Sequence, residues 1–117
     1  MVRNTRRIVR LMDLDNRAEV LSAYELAHQP PNTPAPVLNA QRQHGIAEME
    51  IYRAGNRLVM IMEVTDGYDP AALDAETARS SEIAAWHQRM AELQRAPFAD
   101  GVGWPEAHLV FRQSEHD

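Results

Sequence analysis

Cysteine is absent from the 117 residues, and lysine is too, since all 12 basic side chains are arginine. The first absence removes disulfides, thiolate nucleophiles and cysteine metal sites together. The second removes Schiff-base chemistry. No apolar run is long enough to span a bilayer, and the opening MVRNTRRIVR lacks the apolar centre of a signal peptide, so the expected location is cytoplasmic and no membrane partner is expected. Positive charge is in deficit, with a net charge of −5. Nucleic acid is therefore excluded as the expected partner, because its binding rests on phosphate neutralisation. Arg3, Arg6, Arg7 and Arg10 do cluster, but without interleaved aromatics they read as a solvated tail running into an edge strand. There is no Gly-rich phosphate loop, no GxSxG elbow and no HExxH. The histidines at 28, 44, 87, 108 and 116 have no ligand-like spacing, so no metal site is expected unless tertiary assembly builds one.

The length fits one domain over residues 1–117, with 1–5 and 113–117 as frayed tails. Its organising stretch runs from Gly45 to Val64. Two apolar runs, Ile46 to Tyr52 and Leu58 to Val64, flank Arg53-Ala54-Gly55-Asn56-Arg57, where Gly and Asn supply positive-φ residues for an antiparallel hairpin. Leu58 to Met62 is apolar at every position, which predicts a strand covered on both faces, by helices on one and by a second subunit and a sugar-sized ligand on the other. Glu48, Glu50 and Tyr52 share one strand parity and Ala47, Met49 and Ile51 the other, which leaves open which set meets the helices.

Upstream, Thr5 to Leu14 reads as a strand. Asn16 with Glu19 has the spacing of a capping box, and the helix it opens carries Leu21, Tyr24 and His28 on one face. Prolines 30, 31 and 34 end that helix, Thr33 is positioned to cap a short second one with Pro34 as its first residue, and Gly45 stops it. Asp69-Pro70 opens a helical segment to Arg95, interrupted at Ser80-Ser81, with Ile83, Trp86, Met90 and Leu93 on one stripe. A last strand is expected over Ala107 to Arg112. The order strand, helix, short helix, strand, strand, helix, strand predicts an α+β, ferredoxin-like antiparallel sheet with helices on one face. Its other face is uncovered and apolar, which predicts a homodimer.

Two pairs of side chains stand out chemically. Tyr24 and His28 place a phenol and an imidazole one helical turn apart, able to hold a polar ligand and exchange a proton near neutral pH. Trp86 and His87 add an indole of the kind that stacks on the C–H face of a sugar, although a Trp within an apolar stripe is equally a core residue.

Taken together, Tyr24-x-x-x-His28, Gly45-Ile46, Met49-Glu50-Ile51-Tyr52-Arg53, Gly55-Asn56-Arg57-Leu58, Met60-Ile61-Met62-Glu63, Trp86 with Met90, and Trp104 spaced before Phe111 resemble the L-rhamnose mutarotase family, on its fucose-like branch. The resemblance implies a dimeric α/β barrel of ferredoxin-like subunits. It also implies cofactor-independent interconversion of the α and β anomers of a free deoxy-sugar, L-fucose or L-rhamnose, by acid–base ring opening. Carried over by position, His28 is the proton donor, and Tyr24, Met49, Trp86 and His87 contact the monosaccharide. The base is unassigned among Glu63, His87 and water. Two positions depart from the rhamnose enzymes, which carry Tyr where this chain has Met49 and Trp where it has His87. A third departure is Pro30-Pro31-Asn32-Thr33-Pro34, which stands where the family has Trp-Pro-Glu. The competing expectation is a non-catalytic sugar or metabolite binder, or an oxygenase-like protein, on the same barrel.

Overall fold

The computed structural model describes residues 4–116. Strand β1 (Thr5–Leu14) is followed by helices α1 (Ala18–Ala27) and α2 (Ala35–Gln43), the hairpin β2 (Ile46–Ala54) and β3 (Arg57–Thr65), helices α3 (Pro70–Arg79) and α4 (Ser81–Leu93), and two short strands, β4 (Gln94–Arg95) and β5 (Glu106–Ala107). The sheet is antiparallel in the order β2-β3-β1-β4, with β5 also pairing to β1. This is the ferredoxin-like α+β arrangement expected from the element order.

Alternation along the paired strands sorts every residue to one of two faces. Ile8, Met12, Leu58, Met62 and Val64 are buried. Met12 and Leu58 pack with α1, α2 and α4 through Val20, Tyr24, Val37, Ala40, Ile83, Trp86 and Met90, while Ile8, Met62 and Val64 form a second cluster with Ile46, flanked by Tyr68 and by Leu73 of α3. Register places Met49 opposite Met62 and Ile51 opposite Met60, so Met49 and Ile51 share this helix-covered face. An irregularity between Ile46 and Glu48 brings buried Ile46 onto it as well. Glu48, Glu50 and Tyr52 therefore fall on the open face, which settles the parity left undecided by the sequence. Val9 and Leu11, paired with Ile61 and Val59, give that open face an apolar centre.

Several local expectations are corrected. The helix after Asn16 begins later, with Arg17 flanking it and no side-chain cap, and Glu19 pairs with Arg17 at 3.6 Å. Thr33 does not cap α2; its hydroxyl donates to the Ala27 carbonyl at 2.9 Å, and Pro34 flanks a helix that starts at Ala35. In the hairpin turn only Gly55 has positive φ, while Asn56 donates from Nδ2 to the Leu14 carbonyl at 2.9 Å and ties the turn to β1. Ser80 does break the long helix, accepting from the Ile83 N–H as Asp69 does from Ala72. The expected strand over Ala107 to Arg112 is reduced to Glu106–Ala107, and the outer edge of β1 is shared with Gln94–Arg95. Leu109, Val110 and Phe111 are 63%, 94% and 66% exposed, because their run is apolar without the alternation that would give it a face to bury.

Candidate active site

Between the sheet and the helices lies a cavity of about 1140 Å³. Its floor is the helix-covered side of β1 to β3, with Arg10, Met49, Ile51, Met60 and Met62, and its walls include Tyr24 and His28, Trp86 and His87, and Gly103 and Trp104. The cavity thus lies on the opposite side of the sheet from the one where a sugar was expected. Met49 and Met60 on this face are only partly buried, so the helices do not cover it fully here.

His28 follows the last residue of α1, with its N–H on the Glu25 carbonyl at 3.1 Å. Its ring Nδ1 lies 2.7 Å from the Tyr24 carbonyl. A carbonyl only accepts, so Nδ1 carries the hydrogen, and in the neutral ring Nε2 holds the free lone pair. The imidazole is fixed further by Tyr24, at 4.2 Å between ring centroids, and by Trp86, edge-to-face at 5.1 Å. Burial lowers its pKa from the ordinary 6.5, with the Tyr24 carbonyl opposing. The same burial acts in the opposite direction on the Tyr24 phenol, pushing it up to about 12, against a hydrogen bond from Gln94. At neutral pH the site therefore presents a protonated phenol beside a neutral imidazole. His87 also has its pKa lowered by burial, with the charge of Asp74 opposing, and both line the cavity.

The loop that departs from the family pattern is anchored to the same helix. Asn32 Nδ2 donates to the Leu26 carbonyl at 2.8 Å, which also accepts the Gln29 N–H, and Thr33 donates to Ala27, so both bind carbonyls at the end of α1. A cis peptide bond joins Pro30 to Pro31. Gln29 and Thr33 reach the cavity rim, and across it Arg53 Nε bonds Glu25 at 2.7 Å, tying α1 to the hairpin.

All five residues carried over by position, Tyr24, His28, Met49, Trp86 and His87, meet in this one cavity. Glu63, a candidate base, does not. It lies across from Arg7 on the other face, accepting from Arg7 at 3.2 Å and from the Thr5 hydroxyl at 3.0 Å. Arg10, read from the sequence as part of a solvated cluster, instead sits in the cavity, and its Nη1 donates to the Trp104 carbonyl at 3.2 Å. Its strand parity with Ile8 and Met12 was the one signal in the sequence for an inward position. Among the described residues no group of acidic or histidine side chains could hold a metal ion.

Fold and cavity define a ferredoxin-like α+β protein with a buried phenol–imidazole pair facing a pocket of small-molecule size. Residues 7–113 match the L-rhamnose mutarotase family, and the chain belongs to that family. It is 40% identical over 111 residues to the L-fucose mutarotase of Xanthomonas campestris pv. campestris, covering 93% of this chain and 89% of that protein. Its fold resembles that of the L-rhamnose mutarotase FA22100 from Formosa agariphila, with a TM-score of 0.63 at 18% identity over 92% of this chain and 98% of the other.

Proposed function

We propose that the chain is a mutarotase interconverting the α and β anomers of a free 6-deoxy-hexose, L-fucose or L-rhamnose, with Tyr24 as acid and His28 as base. The observation that carries this is the opposite displacement of two neighbouring groups by one environment. Burial keeps the phenol protonated and the imidazole neutral, and such a separation supports an acid and a base working at one pH. The roles differ from the donor role that position alone gave His28.

His28 Nε2 takes the proton of the anomeric hydroxyl as the C1–O1 carbonyl forms and the C1–O5 bond breaks. Tyr24 delivers its proton to O5. The open-chain aldehyde turns about C1–C2, O5 attacks the other face, and both protons return, so the cycle ends with the groups as they began. No electrons leave the sugar, and the step needs no cofactor. Free sugars already mutarotate slowly in water, so the required stabilisation is modest and two groups suffice. Met49, Trp86 and His87 bound the space around the ring, and the support for their contact with substrate is their shared place in the cavity wall.

The proposed assembly is a homodimer closing a barrel through the open sheet face. Its support is the apolar centre of Val9, Leu11, Val59 and Ile61, together with Tyr52, which is 54% exposed, and the bare Leu109 to Phe111 run. The proposed location is the cytoplasm; no helix of the described residues is long and apolar enough to cross a membrane.

Polarimetry tests the activity. Freshly dissolved α-L-fucose or α-L-rhamnose should relax to an unchanged end point at a rate proportional to protein concentration. Relaxation at the water rate with both sugars would refute mutarotation and favour a binding role.

A further inference from the structure

We infer that Trp104, held in place by Arg10, is the aromatic surface on which the sugar's apolar face rests; this builds on the mutarotase reading. Trp86 is the obvious candidate for that role, yet it is only 5% exposed. Its ring meets that of His28 edge-to-face and the guanidinium of Arg89 lies 5.6 Å from its centroid, so its free surface is small. Trp104 lines the same cavity and is only partly buried. A partly exposed indole in a concave wall suits the C–H surface and methyl group of a 6-deoxy-hexose.

The backbone around Trp104 is built to hold it there. At φ 51° it is the one non-glycine residue with positive φ among those described. A bulky side chain in this region marks strain that the surroundings must maintain. Three contacts maintain it. Arg10 Nη1 donates to the Trp104 carbonyl at 3.2 Å, the Leu11 N–H donates to the Pro105 carbonyl at 3.0 Å, and β5 then pairs with β1. Gly103 completes the fit, since a Cβ there would come within 3.3 Å of the Met12 methyl. Arg10 has no charged group to meet on a neutral sugar. Its place in the cavity is accounted for by the carbonyl it holds, which makes it a positioning residue.

The test uses protein in which both tryptophans are replaced by 5-fluorotryptophan, giving two ¹⁹F signals that Trp104→Phe assigns. On titration with L-fucose or L-rhamnose the Trp104 signal should shift saturably, and by more than that of Trp86. If anomer exchange is accelerated in the same tube while the Trp104 signal stays still, this inference fails and the mutarotase reading stands. If neither signal moves and exchange is not accelerated, both fall. Arg10→Met should raise KM about fivefold with kcat within about twofold, and Arg10→Lys, which keeps a donor, should recover most of the loss. A lowered melting temperature with unchanged KM in Arg10→Met would show a structural role only and overturn the positioning claim.

Discussion

Replacing Tyr24 by Phe removes the group whose ionisation the fold resists most. Burial moves its pKa from 10.0 to about 12. At about 1.36 kcal/mol per pH unit, the folded protein disfavours the phenolate by about 2.7 kcal/mol relative to water. At pH 7 only about one molecule in a hundred thousand carries the phenolate, so Tyr24 serves as a donor across the working range. The folded pKa is raised, so this contribution to stability is complete below pH 10 and is lost as pH rises from 10 towards 12. Alkaline titration of phenolate absorbance near 295 nm should show one of the three tyrosines ionising last, and Tyr24→Phe should delete that step. Urea unfolding should lose about 2.7 kcal/mol more in the wild type than in Tyr24→Phe across the same interval. The variant should also lose roughly tenfold or more in kcat with the pocket intact. A late step that persists in Tyr24→Phe, or full activity without the hydroxyl, would refute the acid assignment.

Three further outcomes follow from the same geometry. The kcat for anomer exchange should hold its plateau below pH 6.5 and fall only as pH drops through the lowered His28 pKa, which protonates Nε2. His28→Asn should bring exchange down to the water rate, and residual catalysis that keeps the same acid limb would assign it elsewhere, His87 first. Gly45 has φ 100°, and a Cβ there would lie 2.4 Å from Tyr68 Cα, so Gly45→Ala should cost about 2–4 kcal/mol in urea unfolding; an unchanged midpoint would contradict the close approach. Ile61→Arg, on the open sheet face, should convert a dimeric sedimentation profile to a monomeric one, and a wild type that is already monomeric at micromolar concentration would remove the barrel proposal.

The hairpin, the helix boundaries at Asp69 and Ser80 and the order of elements through the second long helix were legible in the sequence because local chemistry and hydrophobic period agree there. The Tyr24–His28 pair was legible as well, since i and i+4 on a helix must be neighbours. What escaped depended on tertiary partners. Arg10 reads as one of a run of arginines, and its parity with Ile8 and Met12 points to the cavity only once the pairing with Met60 shows which face of β1 the helices cover. The last strand was misplaced because β1 offers its edge to two short segments separated by the Phe98 to Pro105 loop, a division set by the Trp104 and Pro105 contacts rather than by any period in the chain. The side of the sheet that carries the cavity was equally out of reach, since strand alternation names two faces without saying which one the helices leave partly open. Glu63 looked like a base only until its face was known.

Saturation-transfer proton NMR of L-fucose and L-rhamnose, with wild type and His28→Ala side by side, is the most direct measurement of the central claim. The account predicts magnetisation transfer between the α and β anomeric protons at a rate that scales with wild-type protein and falls to the water rate in His28→Ala. Acceleration that survives loss of the imidazole would contradict the role given to His28, and exchange at the water rate with wild-type protein and both sugars would contradict the mutarotase account itself.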